Sequence, residues 1–560
     1  MNPIRQDRRD QFRLPSSSNS VAVFFIWVCF IARGFFYCAA LPLWEGFDEY
    51  AHFAHVQRIA AGRGWFVPPE TRASREVERS ISLVPMPWML RLELPVHETY
   101  ESYWRLPPEE RRSRQYSLAT LPRSLVTQDS VNFVPIESLQ PPLSYWLMAP
   151  IYFMLANLTL PARVLALRLV NLLLASAAVP AAWAAARRVF KANSSSGKST
   201  PGASGTALAT AVVVALMPEV MFDAARVANS GLAIALYSVL AVLLLRVADG
   251  RKGAAPCAGV AVGLGLLTKA FFLTAVPAFI LVLAWAVWKR RTGLLSAAGG
   301  LGLAAAISVW WYVRNIAVTG SLSGVIQDAA LRHMPLGERL RHATNVNWLS
   351  ALDSTFFSHI WFAGWSFLQL RAWIYHLFAL VAVLAILGVA VAWVRRVPAR
   401  RRLSVLAVLY VLFCMGLAYH VLMTFLANGI SSSGGWYLCA VVVPETVLAA
   451  AGLRALAPAR IRPYVLGVLA SAFALLDLYG MLFVAIPYYT GLLGHKPSGF
   501  LEAFHWTRLL QVGVAEILRR IGTNKPVWLG AWEVAAIGCI YVAATLILAC
   551  IPFVVERRRK

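Results

Sequence analysis

Runs of about 18 to 24 apolar residues, the length that crosses the hydrocarbon core of a bilayer, recur through this chain and limit its fold more than any other feature. Val21–Leu41, Ala372–Val394 and Ala531–Phe553 are clear examples. Inside lipid the backbone must satisfy its own hydrogen bonds, and runs of this length do so as helices. Composition agrees, with 59% of the 560 residues hydrophobic and 14% charged, where a soluble domain carries about a quarter charged. The chain reads as an all-α polytopic membrane protein.

The charges set the topology. A net charge of +25 could suggest nucleic acid, but the basic residues cluster in short loops beside apolar spans, where they fix orientation. No nucleic-acid partner is expected; membrane lipids are. Clusters at Arg5–Arg13, Arg187–Lys198, Arg246–Lys252, Lys289–Arg291, Arg395–Arg402, Arg454–Arg462 and Arg557–Lys560 should all be cytoplasmic, so each interval between them holds an even number of spans. Two spans fit most intervals: 204–218 and 227–247, 254–269 and 271–288, 293–314 and 372–394, 403–426 and 436–455, 463–486 and 531–553. The first interval holds three apolar stretches, 21–43, 141–158 and 165–186. The middle one opens on Pro141-Pro142 and is short, so residues 143–157 are expected to lie in the outer interface, with Tyr145, Trp146 and Tyr152 at headgroup depth.

About twelve transmembrane helices follow, with both termini inside. The long loops 44–140, 315–371 and 487–530 are extracytoplasmic. The first carries 13 of the 27 acidic residues and is expected to form juxtamembrane helices. Asn193–Gly205, rich in Ser and Gly, reads as a flexible cytoplasmic linker. All seven cysteines lie in apolar segments without a CxxC pair, as small buried hydrophobes do. The first span reads as an uncleaved anchor.

The first loop opens Leu43-Trp44-Glu45-Gly46-Phe47-Asp48-Glu49-Tyr50-Ala51-His52-Phe53-Ala54-His55. Directly after a span, Asp48 and Glu49 lie close to the outer membrane surface. On a helix Asp48, His52 and His55 share one face. Acidic residues also suit a helix start for its dipole alone. Two histidines without a matched third ligand are a weak metal signal, and no metal site is assigned.

This acidic pair after the first span resembles the signature of the C-type glycosyltransferase superfamily, which includes protein O-mannosyltransferases and lipid A aminoarabinose transferases. Further stretches are similar to its bacterial members in order: Gln140-Pro141-Pro142-Leu143-Ser144-Tyr145-Trp146, Arg168-Leu169-Val170-Asn171, Gly263-Leu264-Gly265-Leu266-Leu267-Thr268-Lys269, Trp311-Tyr312-Val313-Arg314-Asn315 with Thr319-Gly320, and Gly435-Trp436-Tyr437-Leu438 with Trp436 where Arg is usual. One element departs. Asn229-Ser230-Gly231 stands where relatives carry Asn-Asp; either Glu219 and Asp223 in the same loop substitute, or the metal site of some relatives is absent here.

The resemblance implies a multi-pass plasma (inner) membrane enzyme that moves a sugar from a polyprenyl-phosphate-linked donor to a hydroxyl of a lipid, glycan or protein acceptor, outside the cytoplasm. It implies a cytoplasmic tail 1–20, a catalytic transmembrane unit 21–455 that includes the loop 44–140, and a C-terminal transmembrane region 456–560 with the loop 487–530. Such a donor needs a base for the acceptor hydroxyl and cations for the departing phosphate. Asp48 is the candidate base, with Glu49 second. Lys269 and Arg314, ionisable residues at the outer ends of apolar spans, are the candidate phosphate ligands. Their alternative is snorkelling to the interface. His52, His55, Glu219, Asp223 and Tyr437 are the candidate site-lining residues. The resemblance names no definite cofactor and admits a divalent metal. The rival classes are a transporter or flippase of a lipid-linked saccharide, and a non-catalytic subunit of envelope glycan assembly; no paired halves of a transporter repeat are found.

Overall fold

The computed structural model describes residues 17–68, 70–94, 96–132, 136–191, 203–496 and 499–557. Among them no β-strand forms beyond three isolated bridges. Ten helices are long and apolar enough to cross a membrane: Asn19–Ala40, Leu160–Lys191, Ser230–Ala248, Ala270–Trp288, Leu294–Thr319, Ala372–Val394, Arg400–Asn428, Gly435–Leu456, Val465–Tyr489 and Ala531–Val555. The pair Ala203–Leu216 and Pro218–Ala224, bent by 59°, is an eleventh if the two count as one span. Pro218 sits in the first turn of its second half, where a missing N–H costs nothing and the chain can change direction.

The expected span 254–269 is present as the short helix Ala254–Leu266, of 13 residues. The chain then turns through Lys269, whose φ of −157° is extended, into a 3-10 turn at Ala270–Thr274. The short helix packs backbone to backbone on Leu294–Thr319, since a Cβ at Gly259 would collide with the carbonyl of Gly300. Close approach of small residues is the usual way helices associate in lipid. The helix that precedes it, Ser230–Ala248, ends beside Asp249, whose carboxylate binds Arg188, Arg401 and Arg402 at 2.9–3.2 Å. Basic segments from three distant parts of the sequence therefore share one end of the bundle. The tail 1–16, the linker residues 192–202 and the terminal cluster 558–560 lie outside the described residues.

At the other end the loop 44–140 folds into short helices, among them Glu49–Ala60, Arg75–Leu83 and Pro108–Ala119. Residues Leu143–Met154 do form a helix too short to span, but not one that offers its tyrosines to headgroups. Tyr145 and Tyr152 are buried. The Tyr145 hydroxyl bonds His52 Nδ1 at 2.8 Å and that of Tyr152 accepts from Gln57 at 2.8 Å. The hydroxyls find protein partners on Glu49–Ala60, so the helix lies on that loop helix rather than in the lipid interface. Trp146 alone stays partly exposed, stacked on Trp310 at 6.1 Å.

A buried polar network ties the first and last helices into one body. Arg33 binds Asp477 at 2.8 Å and Thr545 at 3.1 Å, and Asp477 also accepts from Tyr37 and, at 2.8 Å, from Tyr541. An ion pair costs dearly to desolvate, and here the Asp477 carboxylate is paired and further hydrogen-bonded.

Candidate active site

Asp48 begins the loop helix Glu49–Ala60 in a left-handed conformation, φ 54° and ψ 20°, without capping the helix through its side chain. A non-glycine residue there stores strain that often accompanies function. Its side chain is part-exposed, and among the described residues no hydrogen bond or ion pair to a protein group engages its carboxylate. Burial nonetheless pushes its pKa up, opposed by the Arg226 and Lys269 cations. Glu137, just before the Gln140-Pro141-Pro142 element, stands beside it. Burial and the Asp48 charge raise Glu137 to about 7. Two carboxylates that resist joint ionisation, facing two cations, are an arrangement suited to holding and moving one proton.

Glu49 is placed differently. It is fully buried, with Arg168 bound in a fork at 2.7 and 2.6 Å and the backbone N–H groups of Val227 and Trp44 at 2.9 and 3.1 Å. Both its oxygens are committed, and it ties the loop helix to the span that begins at Leu160. The histidines sit behind the pair. His55 Nδ1 meets the carbonyl of Glu137 at 2.8 Å, and its ring lies on Tyr145 with centroids 4.0 Å apart. Burial keeps both imidazoles neutral, lowering His55 to about 4 and His52 well below its ordinary value. Among the described residues no three His, Cys, Asp or Glu side chains gather to hold a metal ion.

The opposite wall comes from the loop 217–230. Arg226 is buried, grips Asp223 through two nitrogens and donates to the carbonyl of Phe47 at 2.7 Å. It thereby fixes the residue before Asp48. Ser230 donates its hydroxyl to the Asp223 carbonyl at 3.0 Å, and Asn229 donates to Gln140 at 3.2 Å. A side chain at Gly231 would strike Asn171. Glu219 lies deeper, accepting from the Phe362 N–H at 3.0 Å with its other oxygen unpartnered.

Lys269 is part-exposed and lines a small cavity with Asp223, Ser230 and Tyr437. Its ammonium lies 5.3 Å from the Phe271 ring and 5.4 Å from that of Tyr437, within electrostatic reach of Asp48, Glu137, Asp223 and Arg226. Among the described residues no carboxylate forms a salt bridge with it. Arg314 is apart from this group. Its guanidinium lies 4.7 Å from Trp311 and 5.8 Å from Phe66, with one buried nitrogen unpartnered. The structure thus brings together Asp48, Lys269, Asp223 and Tyr437, backs them with Glu49, His52 and His55, and leaves Arg314 at the flank.

Three contributors escaped the sequence reading: Glu137, Arg226 and Phe47. Arg226, with Glu219 and Asp223 in a short loop between two apolar spans, was a signal of the kind that marks Lys269. Nothing local in the sequence pairs Glu137 with a residue 89 positions earlier.

A family model, that of glycosyltransferase family 87, matches residues 139–419. No curated protein matches the chain. Among solved structures, ArnT from Cupriavidus metallidurans bound to undecaprenyl phosphate is similar with a TM-score of 0.45 and 13% identity, over 96% of this chain and 78% of that one. The oligosaccharyltransferase of Archaeoglobus fulgidus in its apo form is similar with a TM-score of 0.43 and 11% identity, over 95% of this chain and 55% of that one.

Proposed function

The chain belongs to glycosyltransferase family 87, and from that premise we propose that it moves a sugar from a polyprenyl-phosphate-linked donor to an acceptor hydroxyl at the extracytoplasmic end of the helix bundle. One observation carries the reading. Asp48 and Lys269, a base and a cation, lie within electrostatic reach of each other, and among the described residues neither forms a salt bridge.

In this reading the acceptor O–H gives its proton to the Asp48 carboxylate as its oxygen bonds the sugar's anomeric carbon. The bond from that carbon to the phosphate oxygen breaks, and the phosphate leaves carrying the electron pair. Lys269 faces that developing charge, where a preplaced cation contributes most. Glu137 keeps the site's negative charge shared rather than doubled. Glu49 and Arg226 act through position, the first by anchoring the helix that starts at Asp48 and the second by holding the carbonyl of Phe47. Arg314 is proposed as a second, outlying phosphate ligand that engages once the donor lies along the Trp311 edge. Glu219 is proposed to line the floor of the site.

The test is chemical. The purified protein in lipid discs is given a panel of radiolabelled polyprenyl-phosphate sugars. Release of polyprenyl phosphate together with a labelled glycosylated product supports the reading; intact donor across the panel, with the protein folded, counts against it.

A further inference from the structure

A groove of about 460 Å³ opens where the loop helix Pro108–Ala119 meets the chain between Arg519 and Ala531. Arg112, Arg519 and Lys525 line it, and among the described residues no acidic side chain does. At Thr523, Asn524 and Lys525 it adjoins a smaller cavity that runs in toward Tyr100 and Tyr489.

The basic side chains of the groove keep donors to spare. Arg112 reaches Glu109 and the Pro108 carbonyl only at 3.5 and 3.4 Å, the outer limit of a hydrogen bond. Both Arg112 and Glu109 are exposed, where such a pair contributes little. Arg519 grips Glu516 through Nε and one terminal nitrogen, each at 2.6 Å, and its other terminal nitrogen has no hydrogen bond among the described residues. Glu516 also serves Arg520 at 2.9 Å, so one carboxylate faces two guanidinium groups. Lys525 donates to the carbonyls of Ala40 and Leu41 at the end of the first span, and among the described residues it forms no salt bridge. Burial pushes its pKa well below the ordinary value; Glu49, which works against that shift, is itself held by Arg168. An anion in the groove would supply what all three cations lack.

The position of the groove selects the anion. Its walls include Gly530 and Ala531, at the head of the span Ala531–Val555, and Thr159 and Pro161, at the head of the span Leu160–Lys191. Both spans pack on the first one. Val527, Trp528 and Trp532 beside the groove are 89%, 60% and 80% exposed, a rim of the kind found at headgroup depth. Inorganic phosphate would use the cations and leave that rim bare. A zwitterionic lipid would add an ammonium to a space already lined by cations. From this placement we propose that the groove holds the headgroup of an anionic glycerophospholipid of the surrounding bilayer, its phosphate on Arg112, Arg519 and Lys525 and its acyl chains beside the last span. The site is separate from Asp48 and Lys269, and the inference does not depend on the transfer reaction.

Fluorescently labelled phosphatidylglycerol is titrated onto the full-length protein in neutral detergent, then displaced with unlabelled phosphatidylglycerol, phosphatidylcholine, polyprenyl phosphate or inorganic phosphate. Unlabelled phosphatidylglycerol should compete best. Arg112→Glu combined with Arg519→Glu should weaken binding on the order of tenfold. Arg332→Glu combined with Arg341→Glu, the same change of charge on the loop 315–371, should leave it as in the wild type. All four side chains are exposed, so both double variants should fold, which their elution as a single detergent-solubilised species checks. Absent binding, equal competition by phosphatidylcholine, displacement by inorganic phosphate at the same concentration, stronger displacement by polyprenyl phosphate, or equal weakening in the control pair would each overturn the assignment. None of these outcomes bears on whether the protein releases polyprenyl phosphate from a donor, so the two readings fail separately.

Discussion

Among the described residues no protein group hydrogen-bonds the Asp48 carboxylate, and burial raises its pKa from the ordinary aspartate value. As a base it must be ionised, so kcat/KM should rise with pH through a limb above about 4, the usual position for aspartate. Lys269 favours the ionised form, and Lys269→Met should move that limb to higher pH as well as weaken donor binding, while Lys269→Arg keeps part of both. A lysine that only snorkels would leave the limb where it was. Glu49→Gln breaks the buried fork with Arg168 and should lower the folded yield more than the activity per folded molecule. The shared face of His52 and His55 was readable from a spacing of three, whereas Asp48, expected on the same face, precedes the helix in a left-handed conformation. The carboxylate pair was not readable, because its members meet only through the tertiary packing of Leu143–Met154 on Glu49–Ala60.

Among the elements, the loop at Ser366, pinned by Glu45, is titratable. Burial raises Glu45 to about 8 from an ordinary value near 4.5. The proton is thus held more tightly in the folded state, and the stability it contributes is complete below the unfolded pKa and lost as pH rises toward 8. Thermal unfolding in detergent across roughly pH 5 to 8.5 should show this decline, and Glu45→Gln should flatten it. The short helix Ala254–Leu266 depends on contact with Gly300, so Gly259→Val should destabilise the bundle by about 1–3 kcal/mol through overpacking, measured as a lower Tm at unchanged membrane insertion. Hydropathy found the long helices because twenty apolar residues in a row have one outcome in lipid. It overextended this one, because the apolar run continues through Gly265 to Leu267 while the helix stops there, and it misplaced Tyr145 and Tyr152, whose hydroxyl partners lie in a distant loop.

For the whole molecule, one end of the bundle gathers Arg188, Arg401 and Arg402 on Asp249 and the other carries the site. On the positive-inside rule we propose that the site faces outside. With a cysteine-free background, Ser113→Cys on the exposed face of Pro108–Ala119 should react with an impermeant maleimide in intact cells and Ser195→Cys should not; the reverse pattern would invert the orientation. The spans and their shared basic end were legible because each is written in contiguous residues. Of the candidate site only the local parts were legible: Asp48 and Lys269 were each singled out as candidates, and their meeting was implied by the family resemblance rather than by any spacing in the sequence. That meeting is best tested by single-turnover release of polyprenyl phosphate from labelled donor, comparing wild type with Asp48→Asn at equal amounts of folded protein. The account predicts a loss of roughly 10²–10⁴-fold in the Asn variant with donor binding retained; turnover at the wild-type rate would contradict it.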